Sequence, residues 1–223
     1  MCARYTMVTP ADELIEEFEA TLVADALPAQ YNIAPTAEAP IVVSTSTGER
    51  RLGLAKFGLI PHWAKSPREG VKMLNARAET VAKKPAYRDA FRRHRCLVAA
   101  DGFYEWETIE KKKVPHRFHL DGRPFGFAGL WAVWRDAEDK KISSFTILTC
   151  PAVGAVAAVH DRMPVILPRE SYGAWLERTD EVDEAALMKL VEGHLGSYLI
   201  DSRVSPRVNS VKNDDASLIE PIA

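Results

Sequence analysis

The sequence predicts an α+β protein: a barrel-like, mostly antiparallel β core flanked by a few helices, folded as one domain over residues 1–223. Three observations carry that expectation. Short strand-like runs recur along most of the chain, whereas helical periodicity is confined to a few stretches. Neither an internal repeat nor a low-complexity linker divides it. With 223 residues and 47% hydrophobic content, the chain can bury one substantial core.

From the N-terminus, Thr9-Pro10-Ala11-Asp12 reads as a helix start, with Thr9 as cap, Pro10 in the first turn and Asp12 complementing the dipole. Leu14, Ile15, Phe18 and Leu22 form one apolar stripe, which predicts a helix over 10–25. Tyr31 to Pro35 is expected as a loop. Pro40 to Ser44 and Leu52 to Ile60 are strand-like, the second stopped by Pro61-His62-Trp63. Pro85 to His94 predicts a short basic helix. Cys96 to Ala100 and Phe103 to Trp106 flank the Asp101-Gly102 turn signal and read as the arms of a hairpin. The run Lys111-Lys112-Lys113 lies between strand candidates, as a solvated hairpin tip would. Arg117 to Leu120, Phe125 to Trp134 and Ser144 to Cys150 add strands. Helices are expected over 169–178 and 181–193, and residues 204–215 are polar and irregular.

The 29 Lys and Arg nearly balance the 31 Asp and Glu, so any polyanion must meet a local patch rather than a global basic field. Cys2, Cys96 and Cys150 supply neither a disulfide framework nor paired metal-ligand spacing. The opening residues do not resemble an export signal, and no apolar run approaches a membrane span. A cytoplasmic location without membrane attachment is therefore expected.

Residue 2 is the most informative position. Initiator methionine is normally trimmed before a residue as small as cysteine, and trimming Met1 leaves Cys2 with an α-amine and a thiol two carbons apart. An α-amine titrates near ~7.7–8.0, against ~10.4 for lysine, so it is neutral and nucleophilic far more often at physiological pH. Such an amine attacks an aldehyde to give an imine. The adjacent thiol then closes a five-membered thiazolidine, with the advantage of an intramolecular reaction.

Other clusters complete a chemical inventory. They are Cys2-Ala3-Arg4, Asn75 to Thr80, Asp101 to Trp106, His160 to Pro164 and Val204 to Lys212. Glu105 lies between aromatics, where desolvation raises a carboxyl pKa toward the general-acid range. An aminothiol, a carboxyl acid, a histidine and several arginines suit attack on an electrophile beside phosphates.

These motifs, in this order, resemble the SOS response-associated peptidase (SRAP) family. The matching segments include Tyr31-Asn32-Ile33-Ala34-Pro35, Phe57-Gly58-Leu59-Ile60-Pro61, Asn75-Ala76-Arg77-Ala78-Glu79-Thr80, Asp101-Gly102-Phe103-Tyr104-Glu105-Trp106, Ala128-Gly129-Leu130-Trp131 and His160-Asp161-Arg162-Met163-Pro164. The resemblance runs from Cys2 to about Lys212. Two positions depart from the family pattern: Ala3 stands where glycine is usual, and Phe57 begins the segment that commonly starts with tryptophan.

The resemblance implies the SRAP fold, binding of single-stranded DNA, and covalent crosslinking to abasic sites through the terminal cysteine. It implies Cys2 as nucleophile, with Asn75, Glu105 and His160 at the reacting centre. Arg4, Arg77 and Arg162 are implied as phosphate or ring-opened-sugar ligands, and Trp63 as a base-stacking surface. Neither a cofactor nor a metal is expected, and the protein is expected to act as a monomer associated with the nucleoid when bound to DNA. Rival readings are a thiol peptidase using Cys2 with His160, an N-terminal-nucleophile amidotransferase, and a non-catalytic single-strand-binding module. The amidotransferase wants a synthase domain for which the chain has no room. A metal site from Cys2, Glu105 and His160 lacks a ligand-spacing signature.

Overall fold

A computed structural model describes residues 2–179 and 181–222. The first part of the chain forms β1 (Tyr5–Met7), α1 (Ala11–Phe18), β2 (Thr21–Leu22), β3 (Gln30–Ile33), β4 (Glu38–Ser44) and β5 (Arg50–Phe57). Next come β6 (Asn75–Arg77), α2 (Ala78–Val81), α3 (Arg88–Arg93), β7 (Arg95–Ala100), β8 (Gly102–Ile109) and β9 (Lys112–His119). The rest supplies β10 (Phe125–Arg135), β11 (Lys141–Pro151), β12 (Arg162–Pro164), β13 (Ile166–Leu167), α4 (Tyr172–Leu176), α5 (Glu184–Glu192) and β14 (Ile200–Arg203).

The expected α+β architecture with a barrel-like, mostly antiparallel core is what forms. Strands β11, β10, β7, β4 and β5 pair in that order, and β5 returns to β11 in a parallel pairing, Ser144 opposite Lys56 and Phe145 opposite Phe57. That last pairing closes a five-stranded barrel and leaves its members no free edge. A second, antiparallel sheet lies beside it in the order β14-β9-β8-β1-β3. Tyr5 joins the two. Its ring meets Phe57 edge-on at 5.6 Å and Phe127 at 5.8 Å, and Phe57 stacks on Phe145 at 5.3 Å. Edge-to-face and offset pairs of this kind add to simple area burial. Phe57, at the position where the family pattern has tryptophan, is thus a wholly buried barrel residue.

Four local expectations need correction. Helix α1 stops at Phe18, because Glu19 turns left-handed at φ 49° and the next residues join β5 as strand β2. Leu22 therefore continues the apolar stripe from a strand, not from a helix. Thr9 does not cap the helix; its hydroxyl donates to Asp101 Oδ2 at 3.1 Å. Residues 30–33 are not loop but strand β3, paired with β1. Finally, β7 and β8 are not a hairpin. Strand β7 pairs with β4 and β10 in the barrel, whereas β8 pairs with β1 and β9 in the second sheet. The chain crosses between sheets at Asp101 and does not reverse there.

The hairpin tip is where the lysine run places it. Glu110 and Lys111 take left-handed φ values of 47° and 70° between β8 and β9. No helix among the described residues is long and apolar enough to cross a membrane.

Candidate active site

The crossing at Asp101 sets the N-terminal strand in place. Asp101 Oδ1 accepts from the Thr6 hydroxyl at 2.6 Å, and Oδ2 accepts from the N–H groups of Val8 and Thr9 at 2.5 and 3.0 Å. Arg117 pairs with the same carboxylate at 3.2 Å, and both partners are buried. Position 102 must be glycine for this to pack, since a Cβ there would lie 2.6 Å from the Arg117 guanidinium. With β1 pinned, Tyr5 faces Phe103 and the residues ahead of it run alongside β8 toward Glu105.

Cys2 is fully buried at the start of that run. Its carbonyl accepts a hydrogen bond from Asn75 Nδ2 at 2.8 Å. Asn75 is placed by β6, which pairs in parallel with β11, Asn75 opposite Ile147. Ala76 is buried, so Asn75 and Arg77 emerge on the other side of this short strand. The Asn75 Oδ1 is buried and has no hydrogen-bond partner among the described residues. An acceptor left in that position suits the nitrogen of residue 2, once that nitrogen is an amine with protons to donate. Met1 itself, whose removal is expected, lies outside the described residues.

Burial pushes the Cys2 thiol far above its ordinary range, and the charge of Glu105 adds to the rise. The thiol is therefore protonated at neutral pH. Glu105 is itself pushed up, first by burial; the charge of His160 pulls it partly back. That mutual influence sets Cys2, Glu105 and His160 within electrostatic reach of one another. Glu105 and His160 line one open cleft of about 490 Å³, with Trp106, Lys113 and Asn209. His160 Nδ1 accepts from the N–H of Arg162 at 2.9 Å and lies 3.0 Å from Asp161 Oδ1. Ala3 is only partly buried.

The basic residues divide into two kinds. Arg4 is turned inward: its Nε donates to Asn32 Oδ1 at 2.9 Å, a terminal nitrogen donates to the Val208 carbonyl, and the guanidinium lies 6.0 Å from the Trp106 ring. Burial lowers its pKa. Arg162 is held by Glu79 through two hydrogen bonds of 2.5 and 3.0 Å and also donates to the Thr149 carbonyl at 2.6 Å. Arg77, by contrast, is exposed, and Trp63 stands 54% exposed on the loop after β5. Near them in sequence, Lys65, Arg68, Lys72, Lys83, Lys84 and Arg88 are also exposed, and Arg88 lies 3.4 Å from Asp89.

Sequence reasoning missed the supports. Asn32 gathers the carbonyls of Val208, Ser210 and Asn213 on its amide while holding Arg4. Asn209 Oδ1 accepts from Trp106 Nε1 at 2.7 Å. Both belong to segments singled out above, but nothing in the sequence says that the motif near residue 32 and the tail near residue 209 meet. Among the described residues, no group of three His, Cys, Asp or Glu side chains is arranged to hold a metal ion.

A mixed β barrel joined to a second sheet, with a buried cysteine at residue 2 beside an asparagine, a glutamate and a histidine, defines a class of thiol-bearing proteins. Comparison with known proteins gives the class its name. A family model described as SOS response associated peptidase (SRAP) matches residues 1–211, and the chain belongs to that family. It is 37% identical, over 99% of both chains, to the Bacillus subtilis abasic site processing protein YoqW. It is 28% identical, over the whole of both chains, to the Escherichia coli abasic site processing protein YedK. A crystal structure from Bacteroides thetaiotaomicron superposes over the full length of both chains with a TM-score of 0.85 at 22% identity, which attests the fold.

Proposed function

We propose that this protein processes abasic sites in DNA by capturing them, in single strands, as a covalent thiazolidine on Cys2. The observation that carries this reading is the 2.8 Å hydrogen bond from Asn75 to the Cys2 carbonyl, which fixes residue 2 in a buried pocket beside Glu105 and His160. The names of the relatives YoqW and YedK support abasic DNA as the substrate.

The chemistry proceeds in steps suited to these groups. Removal of Met1 frees the α-amine, for which Asn75 Oδ1 is a waiting acceptor. Glu105, whose pKa burial raises toward the general-acid range, donates a proton to the sugar ring oxygen and favours the open aldehyde. The amine nitrogen attacks C1′, and the carbonyl oxygen leaves as water with proton transfers through His160. The thiol sulfur then bonds to the imine carbon as its proton passes to the nitrogen. A thiol kept neutral by burial leaves first attack to the amine, which favours this order over direct thiolate attack in a peptidase. Exposed Trp63 offers a stacking face and Arg77 a phosphate contact, neither of which reads sequence.

Mass spectrometry of the purified protein mixed with single-stranded DNA carrying a glycosylase-generated abasic site tests this directly. The expected product lacks Met1 and carries one covalently attached strand. Cys2→Ser keeps the amine but lacks the sulfur, so it should yield a borohydride-trappable imine and no stable adduct. A stable adduct with serine at position 2 would overturn the reading.

A further inference from the structure

As sequence, the run Lys111-Lys112-Lys113 reads as a solvated hairpin tip with no part in binding. The fold gives it a different setting. The hairpin of β8 and β9 is the same one that carries Glu105, and its tip begins only a few residues beyond that carboxyl. Lys113 lines the cleft that Glu105, Trp106, His160 and Asn209 also line. Its ammonium donates to the Thr108 hydroxyl across the hairpin at 2.8 Å, which settles the side chain against the strand while leaving it exposed.

Two acids on the same sheet have other partners. Glu107 is occupied by His116 at 3.3 Å and Arg203 at 3.7 Å. Asp201 is bound to His116 at 2.8 Å. In the tip itself, one acid, Glu110, precedes three lysines. On the same wall Trp106 is held by Asn209, so the wall is fixed in shape as well as basic at its end.

We propose that the tip of the β8–β9 hairpin, Lys111 to Lys113, is a second backbone-binding surface, which grips the phosphates of the single strand as it leaves the catalytic cleft. The inference rests on the abasic-site reading above and adds a grip on the hairpin to the contacts proposed for Arg77 and Trp63. Lysine serves such a role as a point charge that follows a flexible strand without base preference.

The test uses the full-length protein and a single-stranded oligonucleotide bearing a tetrahydrofuran abasic analogue, which binds but presents no aldehyde. For Lys111→Gln/Lys112→Gln/Lys113→Gln, the plot of log affinity against log salt should become shallower by about 0.7 for each phosphate that the tip no longer neutralises. The triple Lys→Arg variant should restore the wild-type slope. Crosslinking to a true abasic site at subsaturating DNA should slow in step with the lost affinity. A wild-type slope and affinity in the glutamine variant would overturn the hairpin inference and leave the crosslinking reading intact. A wild-type protein that forms no adduct with abasic DNA would overturn both.

Discussion

Burial of Glu105 comes at a cost to the fold, and in the proposed reaction it serves the chemistry. Its carboxyl pKa is raised in the folded state, so the folded protein binds that proton more tightly than the unfolded chain does. Below the ordinary carboxylate range both states are protonated and the difference vanishes. As pH rises through the ordinary value toward the raised one, the unfolded chain releases its proton first, and stability is lost. Glu105→Gln should therefore raise the melting temperature at pH 7, with the gain disappearing in acid, as calorimetry across pH would show. The same variant should crosslink about 10²–10⁴-fold more slowly while binding the tetrahydrofuran oligonucleotide normally. Trp63→Ala should show the reverse pattern, losing about 1–3 kcal/mol of single-strand affinity in a titration but keeping its rate at saturation.

The proposed reacting groups are legible at this scale because each is an unusual residue type in an unusual setting: a cysteine at position 2, a carboxylate between aromatics, a histidine before Asp-Arg. Their supports are not. The resemblance implies Arg4 as a phosphate or ring-opened-sugar ligand, and Asn32 and Val208 draw its guanidinium inward. Only the meeting of three distant segments reveals that, and local sequence carries no record of it.

At the scale of elements, Asp101 joins a barrel strand to a strand of the other sheet. An Asp-Gly pair signals a break in direction without saying whether the chain folds back or crosses, which is why local sequence points to a hairpin of β7 and β8. The choice is made by Arg117 and by the amides of Val8 and Thr9, which converge on the Asp101 carboxylate from elsewhere. Asp101→Ala strips the buried Arg117 of its counter-ion and should cost about 3–5 kcal/mol in urea unfolding. Because those amides fix β1, the surviving folded protein should also crosslink more slowly than its folded fraction explains, a difference that single-turnover kinetics corrected for that fraction would expose. The helix–strand confusion at Leu22 has a similar origin, since a strand following a short helix can extend the same apolar spacing.

For the molecule as a whole, the barrel closes where β5 meets β11, through Lys56 with Ser144 and Phe57 with Phe145. Pairings so distant in sequence make folding slow, because loop-closure entropy is spent before they form. Refolding monitored by tryptophan fluorescence should accordingly be slower for Phe145→Ala than for a substitution on the exposed face of α1, such as Ile15→Ala, if barrel closure lies in the rate-limiting step.

The tie between Arg4 and the carbonyl of Val208 has a temporal side. Arg4 finds its final neighbour 204 positions further along the chain. On the proposed reading, a nascent chain trimmed of its methionine carries an aminothiol whose pocket is unfinished until residue 208 arrives. Until the tail arrives, that group meets cellular aldehydes with no pocket to choose among them, so newly made molecules are the population most exposed to being spent before they reach DNA.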